Sequence, residues 1–97
     1  MPSYIVLGSW TQKGIENVKQ SPTRLDAAKK AFEAAGGKLT AFYLTMGRCD
    51  FVTISEFPND EAAAKAALAL GSSGSVRTES LKAFTEAEYR KIIGSLP

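Results

Sequence analysis

Two runs with strand patterning stand almost back to back in the middle of this chain. Lys38-Leu39-Thr40-Ala41-Phe42-Tyr43-Leu44-Thr45 is followed by the polar break Met46-Gly47-Arg48-Cys49-Asp50 and then by Phe51-Val52-Thr53-Ile54-Ser55-Glu56-Phe57. A break that short joins antiparallel neighbours, so residues 38–57 read as a hairpin. Ala41, Phe42, Tyr43 and Leu44 leave neither face of the first run polar, and both faces are expected to be buried. In the second run Phe51 and Phe57 share a face with Thr53 and Ser55, while Val52 and Ile54 point the other way. A sheet built on this hairpin has two sides to cover.

Helix patterns flank the hairpin. Before it, Ser21 as N-cap and Pro22 at the first helical position open a helix. Its apolar face is Leu25, Ala28, Phe32 and Ala35, and Gly36-Gly37 ends it. After the hairpin, Asn59 caps an alanine-rich helix that begins with Asp60 and Glu61 and is expected to stop at Gly71. Tyr4 to Trp10 and Val76 to Phe84 supply two more strands, and a short helix is expected after Thr11. Thr85-Glu86-Ala87-Glu88 is a capping box, and Tyr89, Ile92, Ile93 and Leu96 form the apolar stripe of a last helix. The order predicts one α+β domain over residues 1–97: a ferredoxin-like βαββαβ sandwich with a C-terminal helix, its helices on one face of a four-stranded antiparallel sheet. The other sheet face then needs a partner or ligand.

Composition narrows the chemistry. With no histidine, the chain cannot supply a Ser-His-Asp or Cys-His arrangement, a histidine base or a His-containing zinc site from its own residues. Its single cysteine, Cys49, excludes an intrachain disulfide and suits a reducing compartment. Twelve Lys and Arg against ten Asp and Glu leave +2, too little charge to mark a nucleic-acid or membrane surface. Met1-Pro2-Ser3 runs straight into a strand with no basic leader, and no apolar run approaches the ~20 residues of a bilayer span. A cytoplasmic protein is expected.

Several separated segments, in order, resemble the GYD-domain family: Tyr4-Ile5-Val6-Leu7, Trp10-Thr11, Ser21-Pro22 with Arg24, Lys38-Leu39 with Ala41-Phe42-Tyr43, Gly47 with Asp50, and Arg77-Thr78-Glu79. The turn for which the family is named reads Gly47-Arg48-Cys49-Asp50 here, with Cys49 where the family has its tyrosine. The resemblance implies a dimeric α+β barrel, hence a homodimer. That architecture includes cofactor-independent degradative enzymes as well as proteins without known activity.

The Gly47–Asp50 turn brings a guanidinium, a thiol and a carboxylate together. In the structural reading Gly47 supplies a positive φ, Asp50 bonds the amides of its own turn and Cys49 is a small filler. In the functional reading Asp50 is an acid/base or orienting group, the candidate catalytic residue, and Arg48 holds an anion. Tyr4, Trp10 and Tyr43 are candidate aromatic walls of an apolar pocket, and Trp10, Tyr43, Arg48 and Asp50 make up the candidate site for a small organic molecule. Arg77 and Glu79, two apart on one strand face, are expected to form a surface ion pair. The Gly71-Ser72-Ser73-Gly74-Ser75 loop lacks the Lys and the following helix of a phosphate loop. Residues 48–54 lack the stacking aromatics of an RNA-recognition strand. No metal and no cofactor is expected, because Asp60, Glu61, Glu86 and Glu88 belong to helix N-termini. The two functions left are a small-molecule protein whose catalysis, if any, is cofactor-free, and an interaction module whose sheet face only pairs subunits.

Overall fold

A four-stranded antiparallel sheet in the order β2-β3-β1-β4 carries the molecule, and the computed structural model describes all of residues 1–97. The strands are β1 (Ser3–Trp10), β2 (Lys38–Leu44), β3 (Phe51–Glu56) and β4 (Val76–Ala83). Four helices accompany them: α1 (Gln12–Glu16), α2 (Ser21–Ala34), α3 (Asp60–Ser72) and α4 (Glu86–Gly94). The mid-chain hairpin is β2–β3, and β1 inserts between β3 and β4. No helix is long and apolar enough to cross a membrane.

Register decides which side chains meet. Tyr4 pairs with Ser55 and Lys82, Val6 with Thr53 and Ser80, and Gly8 with Phe51 and Thr78, so these residues share one face. Phe32 of α2 and the alanines of α3 pack on that face, where Tyr4, Phe32 and Phe57 form the core. Phe57 meets Tyr4 edge-on at 6.0 Å between ring centroids and Phe32 at 5.0 Å. Ile5, Leu7, Val52, Ile54, Tyr43 and Leu81 project from the opposite, open face, away from Phe32 and the α3 alanines. One extra residue in β2 between Leu39 and Ala41 makes a bulge, and the Thr40 hydroxyl donates to the Ile54 carbonyl at 2.9 Å.

Four local expectations are corrected. Ser21 is not an N-cap. A 3-10 turn over Val18–Gln20 runs directly into α2, so Ser21 is already helical with φ −59° and ψ −35°. Gly71 does not stop α3, which continues to Ser72; the left-handed turn comes at Gly74, φ +80°. Tyr43 and Leu44 are 59% and 69% exposed in the single chain, because β2 is an edge strand. Arg77 and Glu79 share the open face, yet no ion pair joins them; the three ion pairs are Lys65–Glu61, Lys82–Asp60 and Arg90–Glu86.

Other ends form as the residues dictate. Thr11 accepts from the Gly14 amide at 3.2 Å, and Asn59 accepts from the Ala62 amide at 2.9 Å. Thr85 and Glu88 complete a reciprocal capping box. At the C-terminus of α2 the Gly37 amide donates back to the Phe32 carbonyl at 2.8 Å and the Gly36 amide to that of Glu33 at 3.0 Å. This Schellman closure needs the positive φ of Gly36, +82°.

Candidate functional site

The helices do not close down on the sheet along its whole length. Between them lies a cavity of about 420 Å³ with a largely apolar lining, within the usual range for small-molecule sites. The sheet supplies one wall, α2 another and the alanine side of α3 the third. Alanines let the α3 backbone come near the sheet without filling the space, which is why an alanine-rich helix here leaves a hollow. At one end Phe51 packs over Gly8, where a Cβ would fall 2.2 Å from the ring, and lies 5.8 Å from Trp10 and 5.5 Å from Phe42. At the other end stand Tyr4, Ser55, Asp60 and Lys82.

Its polar groups fall into two kinds. Tyr4 donates its hydroxyl to Asp60 Oδ1 at 2.5 Å, and Lys82 Nζ lies 3.3 Å from the same oxygen. Burial, and then the bond to Asp60, push the Tyr4 phenol up to about 12. The same bond, helped by Lys82, lowers the Asp60 carboxyl below its ordinary value. These three groups satisfy one another. Two others do not. Ser55 is 1% exposed and its Oγ has no hydrogen-bond partner. Arg24 donates Nη1 to the Asn17 carbonyl at 3.2 Å, while its Nη2 is buried without a partner.

The cavity takes Trp10 from the sequence-derived candidates and leaves the other three outside. Tyr43 stands on the open face of β2 and Arg48 is exposed on the β2–β3 turn. The Asp50 carboxylate bonds across to β1 rather than to the amides of its own turn. Its Oδ2 accepts from the Trp10 amide at 2.9 Å and its own amide donates to the Gly8 carbonyl at 2.8 Å. Gly47 takes the positive φ of that turn, +143°. Cys49 is half-buried with Thr45 Oγ1 3.7 Å from its sulfur. The Asp50 carboxylate thus meets Trp10 at its backbone amide rather than at its indole.

The sequence model of the GYD domain matches residues 4–93, nearly the whole chain. The chain belongs to the GYD-domain family. A GYD-sized relative from Thermus thermophilus is 35% identical over 89 residues, 91% of this chain and 94% of its own length. It is described as a glutamine synthetase and cystathionine beta-lyase binding protein. A crystal structure of a protein from the same organism superposes with a TM-score of 0.50 at 22% identity, covering 88% of this GYD chain and 95% of that one. It shows the fold.

Sequence reasoning missed Arg24 and Ser55 as site residues, although both left a signal. Arg24, Ala28 and Phe32 recur every four residues, which puts a guanidinium on the stripe that faces the sheet. Ser55 sits between Thr53 and Phe57 on the buried face of β3, a hydroxyl where an apolar side chain would pack at no cost.

Proposed function

We propose that this GYD protein is a non-catalytic binding protein that holds a small organic molecule in the cavity between its sheet and its helices, working as a homodimer paired through the open sheet face. The cavity carries this reading: an apolar space of about 420 Å³ with a buried hydroxyl and a buried guanidinium nitrogen that nothing in the chain satisfies. Unsatisfied buried polar groups cost free energy, and a ligand that supplies their partners is the economical explanation. Among the titratable groups lining the cavity, Tyr4 stays protonated far above neutral pH and Asp60 is held ionised by Tyr4 and Lys82. Neither is poised for proton transfer near pH 7. We read the order β2-β3-β1-β4 as ferredoxin-like, which puts the cavity on the helix side and Tyr43 on the pairing side. Trp10 is then the member of the sequence-derived set that meets the ligand, with Arg48 and Asp50 serving the turn. A cytoplasmic location fits a protein of this kind.

Titration with the apolar fluorophore anilinonaphthalene sulfonate tests the reading. One molecule per chain is expected to bind, and Ala67→Phe, which fills the cavity from α3, is expected to abolish it. Binding that survives the substitution places the dye on the open face and removes the support.

A second reading has its own observation. The relative named for binding glutamine synthetase and cystathionine beta-lyase points to docking on an enzyme, for which the open face and the α4 stripe are the available surfaces. In that case charges placed on the open face abolish partner binding while the filled cavity leaves it intact.

A further inference from the structure

We infer that the cavity is built for an elongated monocarboxylate with an apolar body and a hydrogen-bonding group toward its far end. The inference rests on the binding role proposed above and gives it a ligand class.

Charge sets the first end. Asp60 already receives Tyr4 and Lys82, so Arg24 is the lining charge with no counter-charge; no acidic side chain lies within ion-pair distance of it. One nitrogen of its fork is spent on the Asn17 carbonyl and the other is buried and free. A buried guanidinium nitrogen in a largely apolar wall calls for an anionic oxygen, which would give it a charge-assisted bond. A single uncompensated positive charge matches a carboxylate better than a phosphate, which brings close to two negative charges.

Geometry sets the second end. Arg24 lies in the first turn of α2, beside the segment that follows Trp10, whereas Phe32, two turns on, packs with Tyr4 and Phe57. Those eight residues span roughly 12 Å at the rise of an α-helix. On the sheet wall, Phe51 to Ser55 spans roughly 13 Å at the rise of a strand. The orphan guanidinium nitrogen and the orphan hydroxyl therefore mark opposite ends of one hollow. Between them the wall is aromatic and aliphatic: Trp10, Phe51, Leu25, Ala28 and Ala63. A hydroxyl that both donates and accepts asks for a ligand hydroxyl or carbonyl.

Calorimetric titration of the full chain with decanoate, decanol and ω-hydroxydecanoate tests this. Decanoate is expected to bind one per chain and roughly ten- to hundred-fold tighter than decanol, the range for a hydrogen bond to a charged group. ω-Hydroxydecanoate is expected to bind several-fold tighter than decanoate. Arg24→Gln should erase the advantage of carboxylate over alcohol by weakening decanoate far more than decanol, Arg24→Lys should restore part of it, and Ser55→Ala should erase only the ω-hydroxyl advantage. Equal binding of decanoate and decanol to the wild-type chain overturns the carboxylate assignment, whatever the variants do, and leaves cavity binding standing. No gain from the ω-hydroxyl overturns the assignment of the far end. Failure of all three compounds to bind overturns the binding role itself.

Discussion

Asp50 is a strut. Its carboxylate and its amide both reach β1, at Trp10 and Gly8, and its carbonyl accepts from the Thr45 amide at 2.8 Å, so one residue ties the β2–β3 turn to the end of the central strand. Asp50→Ala removes the acceptor for the Trp10 amide and is expected to cost about 0.5–2 kcal/mol, as loss of a capping side chain does. Asp50→Asn keeps an oxygen at the same distance and should retain most of the stability. Denaturant midpoints at unchanged slope decide between them; equal stability of all three proteins would remove the strut. Tyr4 gives a second expectation. Its phenol is raised to about 12, so its neutral form is favoured by folding. That contribution is complete below the ordinary phenol value near 10 and is lost as pH rises from 10 toward 12. Stability should fall across that window by on the order of 2 kcal/mol, and Tyr4→Phe should flatten the fall. Denaturant midpoints of both proteins at pH 9, 10.5 and 12 check it. The two turn candidates that stand outside the cavity, Arg48 and Asp50, share one cause. Asp50 and Arg48 are near neighbours in the chain and invited a local site, whereas Arg24, Ser55, Tyr4 and Asp60 come together only through strand register and helix placement.

At the scale of elements, starts were more legible than stops. Asn59, Thr11 and Thr85 announce their helices through side chains that can bond an amide three residues on, a local event. Gly71 promised a stop and failed because glycine in an exposed alanine-rich helix costs only about 1 kcal/mol, which the surrounding alanines absorb. The helix ends where the chain needs a left-handed residue to enter β4, at Gly74. α4 is the element whose capping is complete and whose packing is not. Tyr89, Ile92, Ile93 and Leu96 are each more than 40% exposed, and the helix makes no extensive contact with another element of its own chain. Its start is held by Thr85 and Glu88, whose carboxyl is lowered below its ordinary value by the Thr85 backbone amide and then by the Thr85 hydroxyl. The Glu88 half of the box is fully present above the ordinary carboxylate range and fades as pH falls through and below it. If the stripe is seated on a second copy, Thr85→Ala should lower the unfolding free energy of the protein by about 1 kcal/mol. If it is free, only the α4 amides should exchange faster while the global midpoint stays fixed. Hydrogen exchange read beside a denaturant melt separates these outcomes.

The whole molecule is more extended than its length requires. A radius of gyration of 14.6 Å and extents of 52 × 31 × 18 Å exceed the ~12.5 Å radius expected of a compact domain this long, and only nine residues are buried. A chain with 44% hydrophobic residues and so small an interior has surface left to cover. An α+β fold on a four-stranded antiparallel sheet was legible because periodicity and turn chemistry are local, and the order of four strands and four helices left few topologies. Which face would carry a hollow was not legible, since that depends on how far α2 and α3 stand from the sheet.

Pairing through the open face is the consequence that can be tested first. Ile5, Leu7, Val52 and Ile54 form its centre, with Tyr43 and Leu81 on the outer strands. Four strands about 4.8 Å apart and eight residues rising about 3.3 Å each give a patch of roughly 500 Å² in projection. A stable interface buries about 800 Å² on each partner. The sheet alone falls short of that, and the α4 stripe is the nearest apolar surface able to supply the remainder, so the dimer we propose uses both. Light scattering should report a particle of twice the 10.4 kDa chain mass. Ile54→Glu puts a charge at the centre of the patch, where its desolvation would cost several kcal/mol, and should yield monomers. Ile93→Glu on α4 should weaken the dimer without abolishing it, because the sheet contact remains. A wild-type chain that stays monomeric at tens of micromolar overturns sheet pairing and leaves the open face to a different protein. A dimer untouched by Ile54→Glu but dissolved by Ile93→Glu would instead mean that subunits join through the helices, with the sheet face still uncovered.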